Sequence, residues 1–96
     1  MAGFDARFKY TSKALTPAAV AANTTAEEEF SNIPLVEADD MVVAVEKPTA
    51  QAGLGIVGAR QSGAGQISIT FSNNTGSSIT PTASETYNFI VARKQP

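Results

Sequence analysis

A chain of 96 residues, 43% hydrophobic and 17% charged, has the size of one small domain and is too hydrophobic for a disordered polyelectrolyte. It contains no cysteine and no histidine, which excludes disulfides, thiolate zinc sites, cysteine nucleophiles and histidine-based catalytic triads. We therefore expect no enzyme, no cofactor and no metal site, but a structural or binding protein.

The formal net charge of −2 hides a segregated distribution of charges. Residues 1–13 and the end of the chain are basic, whereas residues 27–40 carry acidic side chains and no basic one. This pattern suits head-to-tail contact with a copy of the chain or with an oppositely charged scaffold; the alternative is that these charges simply face solvent. The few basic residues are too scattered to form a continuous surface that contacts successive phosphates of a nucleic acid. No apolar run is long enough to span a membrane. We expect neither nucleic acid nor membrane as a partner.

The first segment, residues 1–13, combines aromatic and basic side chains. Phe4 and Phe8 have the spacing of one helical face, whereas Phe8 and Tyr10 alternate as in a strand, so both structures stay open. Because aromatic side chains near a terminus seldom remain solvated, we interpret this segment as an extended N-terminal arm that orders against another surface. The predicted division is an arm at 1–13 and a single β domain at 14–96.

The stretch 14–32 carries mixed signals. Its alanines and a Thr-Pro pair agree with a helix, but Val20 and Phe30 would be the only large apolar side chains of that helix. We predict two short strands instead, at 17–21 and 26–31, with a helical turn as the alternative. Three consecutive glutamates in the second of these strands are typical of an exposed sheet edge.

From Ile33 onward the pattern is that of β-structure. Strands are predicted at residues 41–47, 56–60, 66–73 and 85–94. The clearest is 66–73, in which Ile67, Ile69 and Phe71 alternate with polar residues, as expected for a half-buried antiparallel strand. Tyr87 follows a corner, where its ring joins the core and its hydroxyl can bond nearby backbone. Six to eight short strands predict an all-β fold, either a small antiparallel β-sandwich or a Greek-key barrel.

Two chemical motifs are present without the context that their chemistry needs. Residues 53–58 match the pattern G-x-G-x-x-G, but β-branched residues follow where a dinucleotide-binding helix should start. We interpret these glycines as a tight, closely packed turn. Glu37, Asp39 and Asp40 could offer oxygen ligands to Ca²⁺, but their spacing is not that of an EF-hand. We interpret them as a solvated turn that leads into a strand.

Three segments carry a resemblance: KPTAQAGLGIVGAR (47–60), QISITFSNNTG (66–76) and ITPTASETY (79–87). They resemble small virion proteins of tailed bacteriophages, most like a capsid decoration (cement) protein. The resemblance implies a virion structural protein without catalytic residues that oligomerises, often as a homotrimer, and binds the major capsid protein. It would be made in the host cytoplasm and would lie on the outside of the capsid shell and stabilise it. The alternative is a tail or fibre module that recognises a host surface glycan.

The contact with the capsid is expected in the N-terminal arm. Its aromatic side chains would anchor the contact, and its basic side chains would guide the approach. The predicted partner-binding residues are Phe4, Arg7, Phe8, Lys9, Tyr10 and Lys13.

Overall fold

The structure is a computed structural model that describes residues 6–94, with only the backbone at Lys94. Its strands are β1 (Ala6–Leu15), β2 (Thr24–Phe30), β3 (Met41–Glu46), β4 (Leu54–Gly63), β5 (Gln66–Asn73) and β6 (Glu85–Lys94). They form two three-stranded antiparallel sheets, in the orders β1-β6-β3 and β2-β5-β4. The prediction of an all-β fold with antiparallel sheets is confirmed.

The hydrophobic core lies between the two sheets and is built on their central strands. The apolar side chains of these strands that are at most 1% exposed are Tyr87, Phe89 and Val91 of β6 and Ile67, Ile69 and Phe71 of β5. Leu15, Val20, Phe30, Ile33 and Val36 complete the core from the flanking strands and loops. The alternation in residues 66–73 therefore buries the side predicted for it, because side chains two residues apart in a strand point to the same face.

Glycines at positive φ form two of the turns. Gly65, at φ +71°, lies in the two-residue turn between β4 and β5, where the left-handed conformation matches a tight hairpin. Gly53, at φ +81°, packs so closely against Thr75 that any side chain at this position would collide with it. Residues 54–58 belong to strand β4 and no helix follows Gly53. The interpretation of a tight, closely packed turn therefore holds for Gly53 and is wrong for Gly55 and Gly58, which are strand residues without close neighbours.

The predicted strand boundaries agree best with the structure toward the C-terminus. The predicted strands 66–73 and 85–94 match β5 and β6 at both ends. The predicted strand at 17–21 is wrong, since this segment forms only an isolated bridge between Val20 and Ile79. The next strand occupies Thr24–Phe30 rather than 26–31. The three glutamates do lie on an edge strand, as predicted.

The extended N-terminal arm is not confirmed. From Ala6 onward the chain forms β1, which pairs with β6 over ten positions without a register shift, from Ala6 opposite Lys94 to Leu15 opposite Glu85. The segment therefore orders against its own sheet. Phe4 lies outside the described residues.

The ring of Tyr87 is buried in the core, as predicted, but its hydroxyl does not form the predicted hydrogen bond with nearby backbone. Among residues 6–94 this hydroxyl has no hydrogen-bond partner, although Tyr87 is fully buried. Burial, and then the negative charges of Glu85 and Glu28, raise the pKa of Tyr87 to about 12. The ring contributes to the core, whereas the hydroxyl is desolvated without compensation.

Candidate interaction surface

Strand β1 places the predicted partner-binding residues on two different faces of its sheet. Phe8 and Tyr10 point outward, because they lie opposite Ala92 and Ile90 of β6, which alternate with the buried core side chains of that strand. The basic residues of β1 alternate with the aromatic ones and share the inward side with buried Thr11. The strand is thus inverted relative to the usual pattern of apolar side chains inside and charged side chains outside.

The outward residues of β6 and β3 extend the apolar surface that begins on β1. Ala92 has Phe8 opposite it on one side and Met41 opposite it on the other, and Ile90 lies between Tyr10 and Ala44 in the same way. Phe8 is 65% exposed, Tyr10 64% and Met41 64%. We call this surface the apolar outer face; it comprises Phe8, Tyr10, Met41, Ala44, Ile90 and Ala92.

The apolar outer face exposes about as much apolar surface as the largest patch of a typical monomeric protein. An aromatic side chain offers about 150–250 Å² of surface, so Phe8 and Tyr10, each about two-thirds exposed, leave on the order of 250 Å² in water. Met41 and Ile90 raise the exposed apolar area to roughly 400 Å², which is in the range of the largest patches on monomeric proteins. A patch of this size is often functional.

The inward side of β1 is held by charges. Lys9 donates hydrogen bonds to the carbonyl oxygen of Leu35 at 2.7 Å and to Oδ2 of Asp40 at 2.8 Å. The same Asp40 oxygen accepts a hydrogen bond from the backbone N–H of Glu37 at 2.8 Å, and Glu37 also pairs with Arg93. These contacts hold the segment before β3 against the inward side of the sheet β1-β6-β3. Met41, the first residue of β3, directly follows the anchored Asp40.

The interpretation of the acidic turn as solvated needs a correction at one residue. Glu37 and Asp39 are exposed, but the side chain of Asp40 has no exposed surface. Burial raises the pKa of this carboxyl, but the hydrogen bonds from Lys9 and from the Glu37 backbone outweigh burial and lower it overall. A buried carboxylate is stable here because a cation lies beside it.

The outward side of the second sheet is polar. Arg60 of β4 donates two hydrogen bonds to the carboxylate of Glu27 on β2, at 2.8 and 3.0 Å. The hydrogen bond from Arg60 lowers the pKa of Glu27. Between them on β5, Thr70 and Ser72 are half-buried and Ser68 is buried. We call this surface the polar outer face.

The structure brings two of the six predicted residues, Phe8 and Tyr10, into one surface. Lys9 is engaged by Asp40, and Arg7 and Lys13 lie on the inward side of β1. Sequence reasoning missed Met41, Ile90, Ala44 and Ala92, although a signal was present. Residues 89–92 are apolar on both faces of a strand, and so are residues 41–45. A strand with one solvated face does not need this second set of apolar residues.

Within residues 6–94, no group of three or more histidine, cysteine, aspartate or glutamate side chains is placed to hold a metal ion. The described part of the chain also contains no helix long and apolar enough to cross a membrane. Comparison of the chain with protein-family models, curated proteins and solved structures found no match. The resemblance to phage decoration proteins therefore depends on the sequence segments alone.

Proposed function

We propose that this chain is a virion structural protein, a capsid decoration protein that binds the outside of a phage capsid shell through its apolar outer face and stabilises the shell. The exposed aromatic and aliphatic side chains of this face are the observation that carries the proposal. The sequence segments that resemble phage decoration proteins supply the class of partner, the major capsid protein. They also suggest a homotrimer on the capsid surface.

The exposed apolar area fits one side of a standard protein interface. Such an interface buries about 800 Å² on each partner, and about 56–65% of that area is non-polar. The roughly 400 Å² of the apolar outer face supplies most of this non-polar share. The flanking Ser12, Asn88 and Glu46, which lie one cross-strand row further along the sheet, would form part of the polar rim.

The chemistry of the apolar outer face favours an uncharged patch on the partner. Its members carry no charge, and the basic side chains of β1 lie on the other side of the sheet. Binding would follow from the removal of apolar surface from water and would therefore persist at high salt. Many copies on one shell would multiply a modest affinity for each site.

Shells of a phage that encodes this chain, purified without it, provide the test. The full-length protein is expected to sediment with these shells, and Phe8→Ser/Tyr10→Ser to bind them at least about 100-fold more weakly, which corresponds to about 2.7 kcal/mol. Both residues are exposed, so circular dichroism and thermal unfolding should show that the variant still folds.

A matched control lies on the polar outer face, where Thr25→Ala/Thr70→Ala also changes two outward residues of a sheet. This control should bind shells within about threefold of the unmodified protein, because rim and distant residues contribute little to binding. Failure of the unmodified protein to bind shells, or equal binding by Phe8→Ser/Tyr10→Ser, would contradict the proposal.

A host glycan is the second candidate ligand, because Phe8 and Tyr10 are exposed aromatic rings on one strand. Sugar hydroxyls need hydrogen-bonding groups beside such a ring, whereas the cross-strand neighbours of these two residues are Ala92 and Ile90. The protein partner is therefore favoured. Selective binding on a glycan array, together with no binding to shells, would reverse this order.

A further inference from the structure

The loop between β2 and β3 is held in two different ways along its length. Its first part, up to Val36, is anchored by apolar side chains and by backbone hydrogen bonds. Ile33 is 2% and Val36 5% exposed. The N–H of Ile33 donates to the carbonyl of Gly65 at 2.9 Å, and the N–H of Gly65 donates to the carbonyl of Val36 at 2.7 Å. Apolar burial of this kind does not depend on the charge of any side chain.

The second part of the loop, the acidic turn at residues 37–40, buries no apolar side chain, since Asp40 is its only buried residue. Charged groups hold it instead. Oδ2 of Asp40 accepts a hydrogen bond from Lys9 of β1 at 2.8 Å, and Glu37 pairs with Arg93 of β6. The Glu37 N–H donates to the same Oδ2 at 2.8 Å, and the Asp40 N–H donates to the Glu37 carbonyl at 3.1 Å. One carboxylate oxygen therefore both closes the turn and attaches it to the sheet.

The negative charge of Asp40 is essential to this arrangement. Among residues 6–93, the charged groups that face it are Lys9 from β1, Arg93 from β6 and Glu37 from its own turn, and the inward side chains of β3 are valines. Burial raises the pKa of Asp40, but the hydrogen bonds from Lys9 and from the Glu37 backbone lower it overall. Closure of the turn is therefore complete above about pH 4 and is lost as the pH falls through the lower pKa of the closed turn.

The start of β3 has few contacts of its own. Met41 and Val42 pair with β6 before a register shift at Val43 interrupts the ladder, and Met41 is 64% exposed. Strand pairing is locally disrupted at such an irregularity. The position of Met41 in the apolar outer face therefore depends on the acidic turn that directly precedes it.

We propose that the acidic turn is a conformational switch. Loss of the negative charge of Asp40 detaches residues 37–40 and the start of β3 from the sheet, while the sandwich stays folded, and so weakens the contact of Met41 with a partner. Single segments of a folded protein open at a lower cost in free energy than the whole protein. The opening is a property of the free chain, whereas its effect on shell binding rests on the proposed function.

Nitrogen-15 relaxation of the full-length protein without shells tests the opening. Asp40→Asn keeps the shape of the side chain and removes its charge. At about pH 7, the backbone order parameters at residues 37–40 should fall from about 0.85 to below about 0.6 in this variant, whereas those of Ile33 and Gly65 should stay at about 0.85. The unmodified protein should show the same pattern at about pH 3. Asp39→Asn, the matched control, removes an exposed charge at a residue whose positive φ asparagine tolerates, and it should leave all these order parameters unchanged.

A second variant, Lys9→Met, removes the ammonium and keeps the apolar stem of the side chain. It should lower the same order parameters, because the acidic turn then loses its attachment to β1. Binding to shells measures the functional effect of the opening. At about pH 7, Asp40→Asn should bind shells at least about fivefold more weakly than Asp39→Asn, since it loses the contribution of Met41 to the interface.

Three results would overturn the proposal: an ordered acidic turn in Asp40→Asn, disorder that extends to Ile33 and Gly65, or equal binding of shells by the Asp40 and Asp39 variants. Failure of the unmodified protein to bind shells would contradict the proposed function instead. In that case the relaxation data still decide whether the turn opens, because they are recorded on the free protein.

Discussion

The two outer faces of this protein differ more than its two sheets do. Both sheets are three-stranded and antiparallel and bury large side chains on their inner sides. On the polar outer face, Arg60 and Glu27 are joined by two hydrogen bonds. The apolar outer face leaves Phe8, Tyr10 and Met41 about two-thirds exposed. The polar outer face thus forms an ion pair within one copy of the chain, whereas the apolar outer face leaves large apolar side chains in water.

The contrast arises from the inversion of β1. Its cation Lys9 lies inside and pairs with buried Asp40, and its aromatic side chains lie outside. The buried ion pair beneath the apolar outer face should therefore stabilise the fold, whereas the exposed ion pair on the polar outer face contributes little. The following predictions test this difference in order of decreasing effect.

Asp40→Ala should change the free energy of unfolding most. It removes the nearer carboxylate of Lys9, which is 15% exposed and then keeps only Glu37 at 3.9 Å, and it also removes the acceptor for the Glu37 backbone N–H. Urea unfolding should show a loss of about 2–3 kcal/mol, because removal of one member of a buried pair leaves the other charge poorly compensated. Asp39→Asn, at an exposed neighbour whose positive φ asparagine tolerates, is the control for loss of negative charge; a similar loss there would contradict the role given to Asp40.

The same ion pair predicts a dependence on pH. The pKa of Asp40 is lower in the folded chain than its ordinary value. Its contribution to stability is therefore complete above about pH 4 and is lost as the pH falls through the lower folded pKa. Below about pH 4 the stability of Asp40→Ala should consequently fall less steeply than that of the unmodified protein.

Tyr87→Phe, between the two sheets, should have a smaller effect of opposite sign. It removes a buried hydroxyl without a partner among the described residues and should raise the free energy of unfolding by about 1 kcal/mol. The folded pKa of about 12 lies above the ordinary value of 10.0, so the unmodified protein should lose stability as the pH rises from 10 to 12. The variant should lack this part of the alkaline loss. Destabilisation at pH 7 would indicate that the hydroxyl has a partner.

Glu27→Gln on the polar outer face should have the smallest effect. Both members of its ion pair are largely exposed, with side-chain exposures of 62% for Arg60 and 40% for Glu27. The thermal midpoint should change by no more than about 2 °C, and this small change should vanish at high salt. A loss as large as that of Asp40→Ala would remove the distinction between the two faces.

The sequence predicts correctly those strands in which apolar and polar residues alternate. β5 and β6 were predicted at both ends because Ile67, Ile69 and Phe71, like Tyr87 and Phe89, alternate with polar residues. The strand at 17–21 was wrong because local composition cannot tell a strand from a single bridge formed by a distant residue, here Ile79. Such long-range pairing is not encoded in a short window.

The interaction surface was predicted only in part. Phe8 and Tyr10 were found because exposed aromatic residues near a terminus suggest a partner, but they were assigned to an arm. The polar residues of β1 that face inward, such as Lys9, are stabilised by the distant Asp40, which no local pattern reveals. Met41 and Ile90 join the surface only through the register of three strands that are far apart in sequence.

Hydroxyl-radical footprinting of the protein, free and bound to shells, tests the central claim most directly. Phe8, Tyr10 and Met41 should become at least about fivefold less reactive on binding, since the centre of an interface excludes water. Val57 of β4, which is also 64% exposed, should keep its reactivity and serves as the internal reference. Unchanged reactivity of these three residues in a bound protein, with protection of Val57 instead, would contradict the account.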